Sequence, residues 1–320
     1  MKQRINARSV SRFITGKYFI FVLCAVVFAL FAALAPTICS SQSIRNILVS
    51  ASLTAISGCG MTFAITLGGF DLSVGAMMAL STCVMAKLIP SVGIPLAILI
   101  AFGVAVVVGL LNGLIITKLK IQTFVATLAM QIIIEGVALI YTGGLSASVF
   151  QYRDMQVFAT GSLLGIPLPV IITAVVFLIC QFLYSRCKFG IYLRAAGSNE
   201  KAARLSAVPV EKITIAAFII TAVTACLSGL LTLSQVLTTS ASIGSSFSLN
   251  AITVVVLGGT SLDGGEGSVF GMLIGALIVG FIANGLNLMG VYSFYQEIVK
   301  GVVLVGAVLL DRVLQRRLQA

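Results

Sequence analysis

This sequence contains no histidine and no tryptophan, and only 9% of its 320 residues are charged. A soluble globular domain carries about 25% charged residues, so water is not the main solvent here. The missing histidines exclude His-based acid–base catalysis, His metal ligation and His proton relays. No GxxxxGK(S/T) stretch occurs, and "ITGKY" around Lys17 lacks the spacing, so the chain binds no nucleotide through a P-loop. The seven cysteines are odd in number, lie mostly inside apolar runs and lack metal-ligand spacing. They read as small hydrophobes. No nucleophile–base constellation is present. The chain therefore reads as a protein with no cofactor, no metal and no catalytic residue of its own.

What is there is hydrophobic: 59% of the residues, arranged in long runs. A bilayer core needs about 20 apolar residues per helix. The first run, "YFIFVLCAVVFALFAALAPTI", is 21 residues from Tyr18 to Ile38, longer than a signal-peptide core, and reads as a retained helix. The fold class is thus an all-α, polytopic membrane protein of about 10 transmembrane helices. The spans fall near 18–38, 44–66, 71–89, 94–116, 121–141, 167–185, 213–235, 248–258, 268–288 and 291–310. The eighth is too short to cross alone. It is either extended by polar neighbours such as Ser246, Ser248 and Asn250 or is a broken helix.

The net charge of +11 is gathered in a few loops, which is the positive-inside pattern and not a nucleic-acid footprint. Lys2, Arg4, Arg8, Arg12 and Lys17 precede the first span. Lys118 and Lys120 follow the fourth; Arg186, Lys188, Arg194, Lys201, Arg204 and Lys212 follow the sixth; Arg312, Arg316 and Arg317 close the chain. Ten spans put all of these on one side, so both termini are expected in the cytoplasm. The organisation is then a cytoplasmic tail (1–17), one transmembrane domain (18–311) carrying a cytoplasmic loop (185–212), and a cytoplasmic tail (312–320). Within the loop, "SNEKAARLSAV" has the marks of a short helix: Ser198 or Asn199 as cap, Glu200 at its positive end, and Pro209 as its stop. The loop after the fifth span is rich in small polar residues and can receive a partner.

One motif occurs twice: "LGGFDLSVG" at 67–75 and "LGGTSLDGGEGS" at 257–268. Each sits between a descending and an ascending span, in the same orientation, which marks an internal repeat. Gly-interrupted segments at corresponding positions point to the working region of a transporter. Asp71 and Asp263 stand where the next helix is expected to begin, beside Ser73 and Glu266. They are read as helix caps first, with substrate or gating contact as the other reading. Phe70, Asn250 and Asn284 join them as candidates for the translocation path. Asn112, Asn284 and Asn287 can bond across helices or meet substrate hydroxyls. Glu135 lies inside the fifth span, where a charge is expensive. Glu297 and Lys300 are spaced to pair on one helix face, and "GMLIG" (271–275) is a packing face.

In series, "LGGFDLSVGAMMAL", "LNGLIITKLKIQTFVATLAM", "FGIYLRAAGSNEKAARLSAVPVEK" and "VVVLGGTSLDGGEGSVFGMLIGALIVG" resemble the membrane permeases of bacterial ribose-type ATP-binding-cassette importers. The resemblance covers about residue 40 to the end. It implies a permease of the bacterial inner (plasma) membrane, working with a second permease copy, identical or paralogous. A cytoplasmic cassette ATPase supplies the power, and an extracytoplasmic sugar-binding protein delivers a monosaccharide or related sugar. It also implies that the inner-loop segment, with Gly197, Asn199, Glu200, Ala203, Arg204 and Leu205, is the helix that couples to the ATPase, and that the two glycine motifs gate the path. The family often has glycine where Ala207 stands, Arg-Gly where Glu135-Gly136 stands, and Gly-Gly-Arg-Pro in place of "GGLS". A gradient-driven secondary transporter, with Glu135, Asp71 or Lys300 carrying ions, is the rival reading, and dependence on ATP separates the two.

Overall fold

The computed structural model describes residues 19–319. The expected tail at 1–17 lies outside the described residues. The chain is almost wholly helical: α1 (Phe19–Leu34), α2 (Ser41–Thr66), α3 (Ser73–Val92), α4 (Ile94–Lys118), α5 (Thr123–Thr142), a single turn α6 (Val157–Thr160), α7 (Leu168–Ser185), α8 (Lys188–Ser198), α9 (Glu200–Leu205), α10 (Val210–Val236), α11 (Phe247–Leu257), α12 (Val269–Leu288) and α13 (Ser293–Gln319). Seven of these, α2, α3, α4, α5, α7, α10 and α12, are long and apolar enough to cross a membrane. The segment Ile20–Leu34 and α11 are apolar but shorter.

Burial sorts the helices into an inner and an outer set. The most apolar window is 83% buried in α3, 72% in α2 and 67% in α10, but only 28% in α4 and α5 and 22% in α7. The outer helices nevertheless present Leu99, Ile132, Ile140 and Leu178 to their surroundings. Such faces are tolerable only against lipid or a partner. The inner helices pack through small and hydroxyl side chains: Ser57 and Ser228 share a 2.8 Å hydrogen bond between α2 and α10, and the Thr221 hydroxyl reaches the Gly60 carbonyl. Small residues that let backbones approach, with hydroxyls bonding across, are how helices associate when lipid removes the hydrophobic drive.

The small-residue face of "GMLIG" packs as expected. A Cβ on Gly271 or Gly275 would collide with the carbonyl oxygens of Gly258 and Val254, so α11 and α12 lie backbone to backbone. Two expectations need correction. Pro209 does not end the short charged helix; α9 stops at Leu205, and Pro209 instead opens α10. Ala207, with φ of +59°, closes α9 in the left-handed conformation that makes further helix impossible. The stretch 185–212 is also more ordered than a loop carrying one helix, since α8 precedes α9 and packs Gly190, Leu193 and Ala196 inward.

The stretch after α5 is tied down at one end. Ala147–Ser148 pairs antiparallel with Thr238–Thr239, just beyond α10, and Ser162–Leu163 folds back on Ile166–Pro167. Phe150, just past the first tie, and Leu164, in the turn of the second, are exposed.

Candidate functional site: a joint between two glycine turns and a charged helical segment

The two Leu-Gly-Gly stretches close their helices by the same hydrogen bonds. After α2, the amide of Gly68 donates to the Ile65 carbonyl and that of Gly69 to Ala64. After α11, Gly259 donates to Val256 and Thr260 to Val255. Both are double-bonded helix ends that place one residue in the left-handed region. Gly68 fills that position at φ +81° and Gly259 at +80°. The structural equivalence is therefore shifted by one residue from the sequence match: the first glycine turns in one copy and the second in the other.

The turns differ beyond that point. In the first, α3 begins at Ser73, and Asp71 lies between the turn and the helix. Asp71 is 1% exposed. One carboxylate oxygen accepts from the Ser73 amide (3.0 Å) and the Ser73 hydroxyl (2.5 Å). That hydroxyl in turn accepts from the Asn112 side-chain amide of α4 at 2.8 Å. Asp71 thus braces the first residue of α3 from two positions before it, while Leu72 occupies the cap position itself with no side-chain bond, and Asn112 acts as a link between helices. Phe70 packs against the core, and its carbonyl accepts from Thr127 of α5. In the second turn α12 does not start until Val269, and its cap is Ser268, whose hydroxyl accepts from the Gly271 amide. Asp263 therefore does not begin a helix, contrary to expectation. It and Glu266 are exposed in the longer connection.

The helix α8 and the start of α9 lie against both turns at once. Gly197 sits where a Cβ would strike the Thr66 carbonyl and the Gly265 amide. Those two groups are hydrogen-bonded to each other at 2.8 Å. Gly264, at φ +82°, leaves no room for a Cβ beside Gly68 and the Gly197 carbonyl. The ends of α2, α8 and the α11–α12 connection therefore meet backbone on backbone. Tyr184 buttresses the joint: its carbonyl accepts from Arg194 at 2.7 Å, its hydroxyl lies 3.5 Å from that of Thr66, and the Arg194 guanidinium stands 5.0 Å from its ring centre.

Of the residues expected to contact a partner, Asn199 caps α9, accepting from the Ala202 amide at 3.0 Å. Glu200 and Arg204 pair across one turn at 2.8 Å, and both are about half exposed, so the pair contributes only about 0.3–0.5 kcal/mol. Arg204 also approaches Glu211 (3.8 Å), which bonds Lys118 at 2.6 Å, so charge ties α9 to the ends of α4 and α10. Ala203 is buried with Ala196 and Val210, and Leu67 of the first turn packs against that cluster. Leu205 is 90% exposed. Ala203 thus seats the helix, and Leu205 is the residue it presents.

The remaining path candidates are scattered. Asn284 of α12 donates to the Ser43 carbonyl at the start of α2, roughly 35 Å along that helix from Thr66. Asn250 of α11 lines a small cavity together with Lys300 of α13, whose amine pairs with Glu297 at 2.7 Å. The joint residues Gly264, Gly265, Tyr184 and Arg194 were not singled out by sequence reading. The run of glycines at 264–267 was the one signal that could have drawn attention to them.

With the joint described, comparison gives the class. The family described as branched-chain amino acid transport system / permease component matches residues 43–308. The chain belongs to that permease family. Among curated proteins it is 39% identical to the ribose import permease protein of Escherichia coli strain K12, over 89% of this chain and 90% of that one. It is 41% identical to the ribose import permease protein of Bacillus subtilis strain 168, over 92% and 90%, and 36% identical to a D-allose transport system permease protein of E. coli strain K12, over 94% and 93%. No solved structure matches the chain. The chain is a multi-pass membrane protein of the sugar-importer permease type.

Proposed function

We propose that this chain forms the translocation path of an ATP-driven importer for a monosaccharide or related sugar. It crosses the inner (plasma) membrane ten times with both termini in the cytoplasm. A second copy, identical or paralogous, completes the path; an extracytoplasmic binding protein delivers the sugar; a separate cassette ATPase drives transport. The observation that carries the mechanism is Gly197, wedged between the Thr66 carbonyl and the Gly265 amide. A helix touching both glycine turns can move both when it is pushed. Helix α9 offers Leu205, Glu200 and Lys201 outward to the ATPase, while Ala203 anchors it to the bundle.

Relatives spanning ribose and allose permeases support sugar as the cargo class. Phe70, Asp71, Ser73, Asn250, Asp263, Glu266 and Asn284 stay in the proposal as residues that line or gate the path, with Asp71 and Ser73 acting by holding the start of α3. The exposed Phe150 and Leu164 give the delivering protein an apolar landing surface.

The test is Leu205→Glu, with the tagged protein purified from its own membrane in mild detergent. Leu205 touches little of its own chain, so the variant should reach the membrane and lose both ATPase co-purification and sugar uptake. Normal uptake by Leu205→Glu would remove α9 as the docking helix. Uptake by the unaltered chain that survives ATP depletion would overturn the importer reading in favour of a gradient-driven one.

A further inference from the structure

Glu135 has no role in the joint. It lies within α5, seven residues from the helix end at Thr142, or roughly 10 Å of helix rise. That is too far for a short carboxylate side chain to reach the interface. Among the described residues it makes no ion pair. A charge inside a span must face a bundle interior or a water-filled cavity, and it marks a working site by default.

The structure places a small, partly enclosed cleft of about 30 Å³ beside it. Gln131, one turn earlier on α5, lines the same cleft, as do Ser242 and Ser245 from the non-helical chain between α10 and α11 and Gly75 at the start of α3. That chain is itself informative. Helix α11 has 11 residues, about 16 Å, which is half of the hydrocarbon thickness. The crossing is completed by irregular backbone, which is tolerated at membrane depth only where it is shielded by protein or lines water.

We infer that Glu135 and Gln131, with Ser242 and Ser245, form a hydroxyl-binding wall of the sugar path, closed by a second copy of this chain. The inference rests on the importer reading and adds a place for the cargo. The chemistry suits a neutral polyol. A carboxylate accepts from two neighbouring hydroxyls, and the glutamine amide and serine hydroxyls donate and accept around it. A cleft too small to enclose a sugar leaves one copy to hold only one side of it, which suits transport, since cargo must leave as readily as it enters. The wall is also fixed to the first glycine turn. Ser248 accepts from the Gly75 amide at 2.8 Å and donates to the Leu72 carbonyl at 2.7 Å, and Gly244 abuts Gly75 with no space for a Cβ. Contacts therefore run without interruption from α9 through Leu67, the first turn and Ser248 to the wall.

The experiment measures initial uptake of labelled ribose, allose and arabinose in cells expressing the full chain with its native partners. Variants are Glu135→Ala, Glu135→Gln and Ser242→Ala, with membrane level and ATPase co-purification as controls. Loss of hydrogen bonds to a charged group should lower the maximal rate for Glu135→Ala by roughly tenfold or more. The half-saturation should stay unchanged, because the delivering protein sets it. Glu135→Gln should retain part of the rate, and the relative preference among the three sugars should shift, which a merely structural residue would not cause. If Glu135→Ala fails to reach the membrane, the isosteric Glu135→Gln and the exposed Ser242→Ala decide. Unaltered rates and preferences in both the Glu135 and Ser242 variants would overturn the wall while leaving the importer intact. Uptake by the unaltered chain that survives ATP depletion would overturn the importer reading and the wall with it.

Discussion

The turns after α2 and after α11 share one motif and one pattern of closing hydrogen bonds, yet they serve different ends. The first is short and sealed: Asp71 is buried, its bonds go to Ser73, and Asn112 holds Ser73 from α4. The second is longer, exposes Asp263 and Glu266, and uses its extra residues to carry Gly264 and Gly265 to Gly197. A repeated sequence therefore does not imply a repeated role. Helix closure is a local property, and the residues that follow it are free to be a hinge in one copy and a contact arm in the other.

The largest expected effect comes from breaking the arm. Gly197→Val forces a side chain into the Thr66 carbonyl and the Gly265 amide, which are backbone groups and cannot move aside alone. Uptake should be abolished while ATPase co-purification persists, because α9's outward face is untouched. Uptake near the normal rate would show that the arm transmits nothing.

The next effect separates the two acids. Asp71→Ala strands the Ser73 amide in a buried site and should cost about 1–3 kcal/mol, read as a lower thermal unfolding midpoint in detergent. Asp71→Asn keeps an acceptor and should lose much less, with transport retained. Asp263→Ala, at an exposed position, should leave the midpoint unchanged. Equal losses from the two alanine variants would erase the distinction between sealed and open turns.

A smaller effect tests the one-residue shift between the motifs. Gly68→Ala and Gly259→Ala both place a Cβ in the left-handed region and meet nothing closer than 3.6 Å. Each should cost about 1–2 kcal/mol, and by similar amounts. Gly258→Ala should cost more than either, because its Cβ would strike the backbone of Gly271 and Met272. If Gly258 were the more tolerant site, the equivalence drawn from hydrogen bonds would be wrong.

The smallest effects lie at the two ends of α9. Removing the Asn199 cap by Asn199→Ala should cost about 1 kcal/mol. Ala207→Gly should return a similar amount by relieving the positive φ. Hydrogen exchange in α9 would register both changes, in opposite directions.

Some of this was legible in the chain. The run of spans, the Asn199 cap, the Glu297–Lys300 pair and the small-residue face of "GMLIG" depend on residues within a turn or two of one another. Spacing suffices for these. Helix α8 was not read, because its apolar residues are interleaved with Lys188 and Arg194, and the basic stretch resembles a solvated loop. Asp263 was misplaced because the first motif set the expected helix start, and nothing local signals that the second connection runs on to Ser268.

The sequence by itself determined that this is a helical membrane protein, that two glycine turns interrupt it, and that a capped charged helix lies among its basic residues. Tertiary structure alone decided that Gly197, Thr66 and Gly265 meet, that Ala203 faces inward while Leu205 faces out, and that Glu135 shares a cleft with Ser242. The physical reason is range. Capping, hydropathy and left-handed closure act within a few residues, whereas a contact excluding even a Cβ forms only when packing brings distant backbones together.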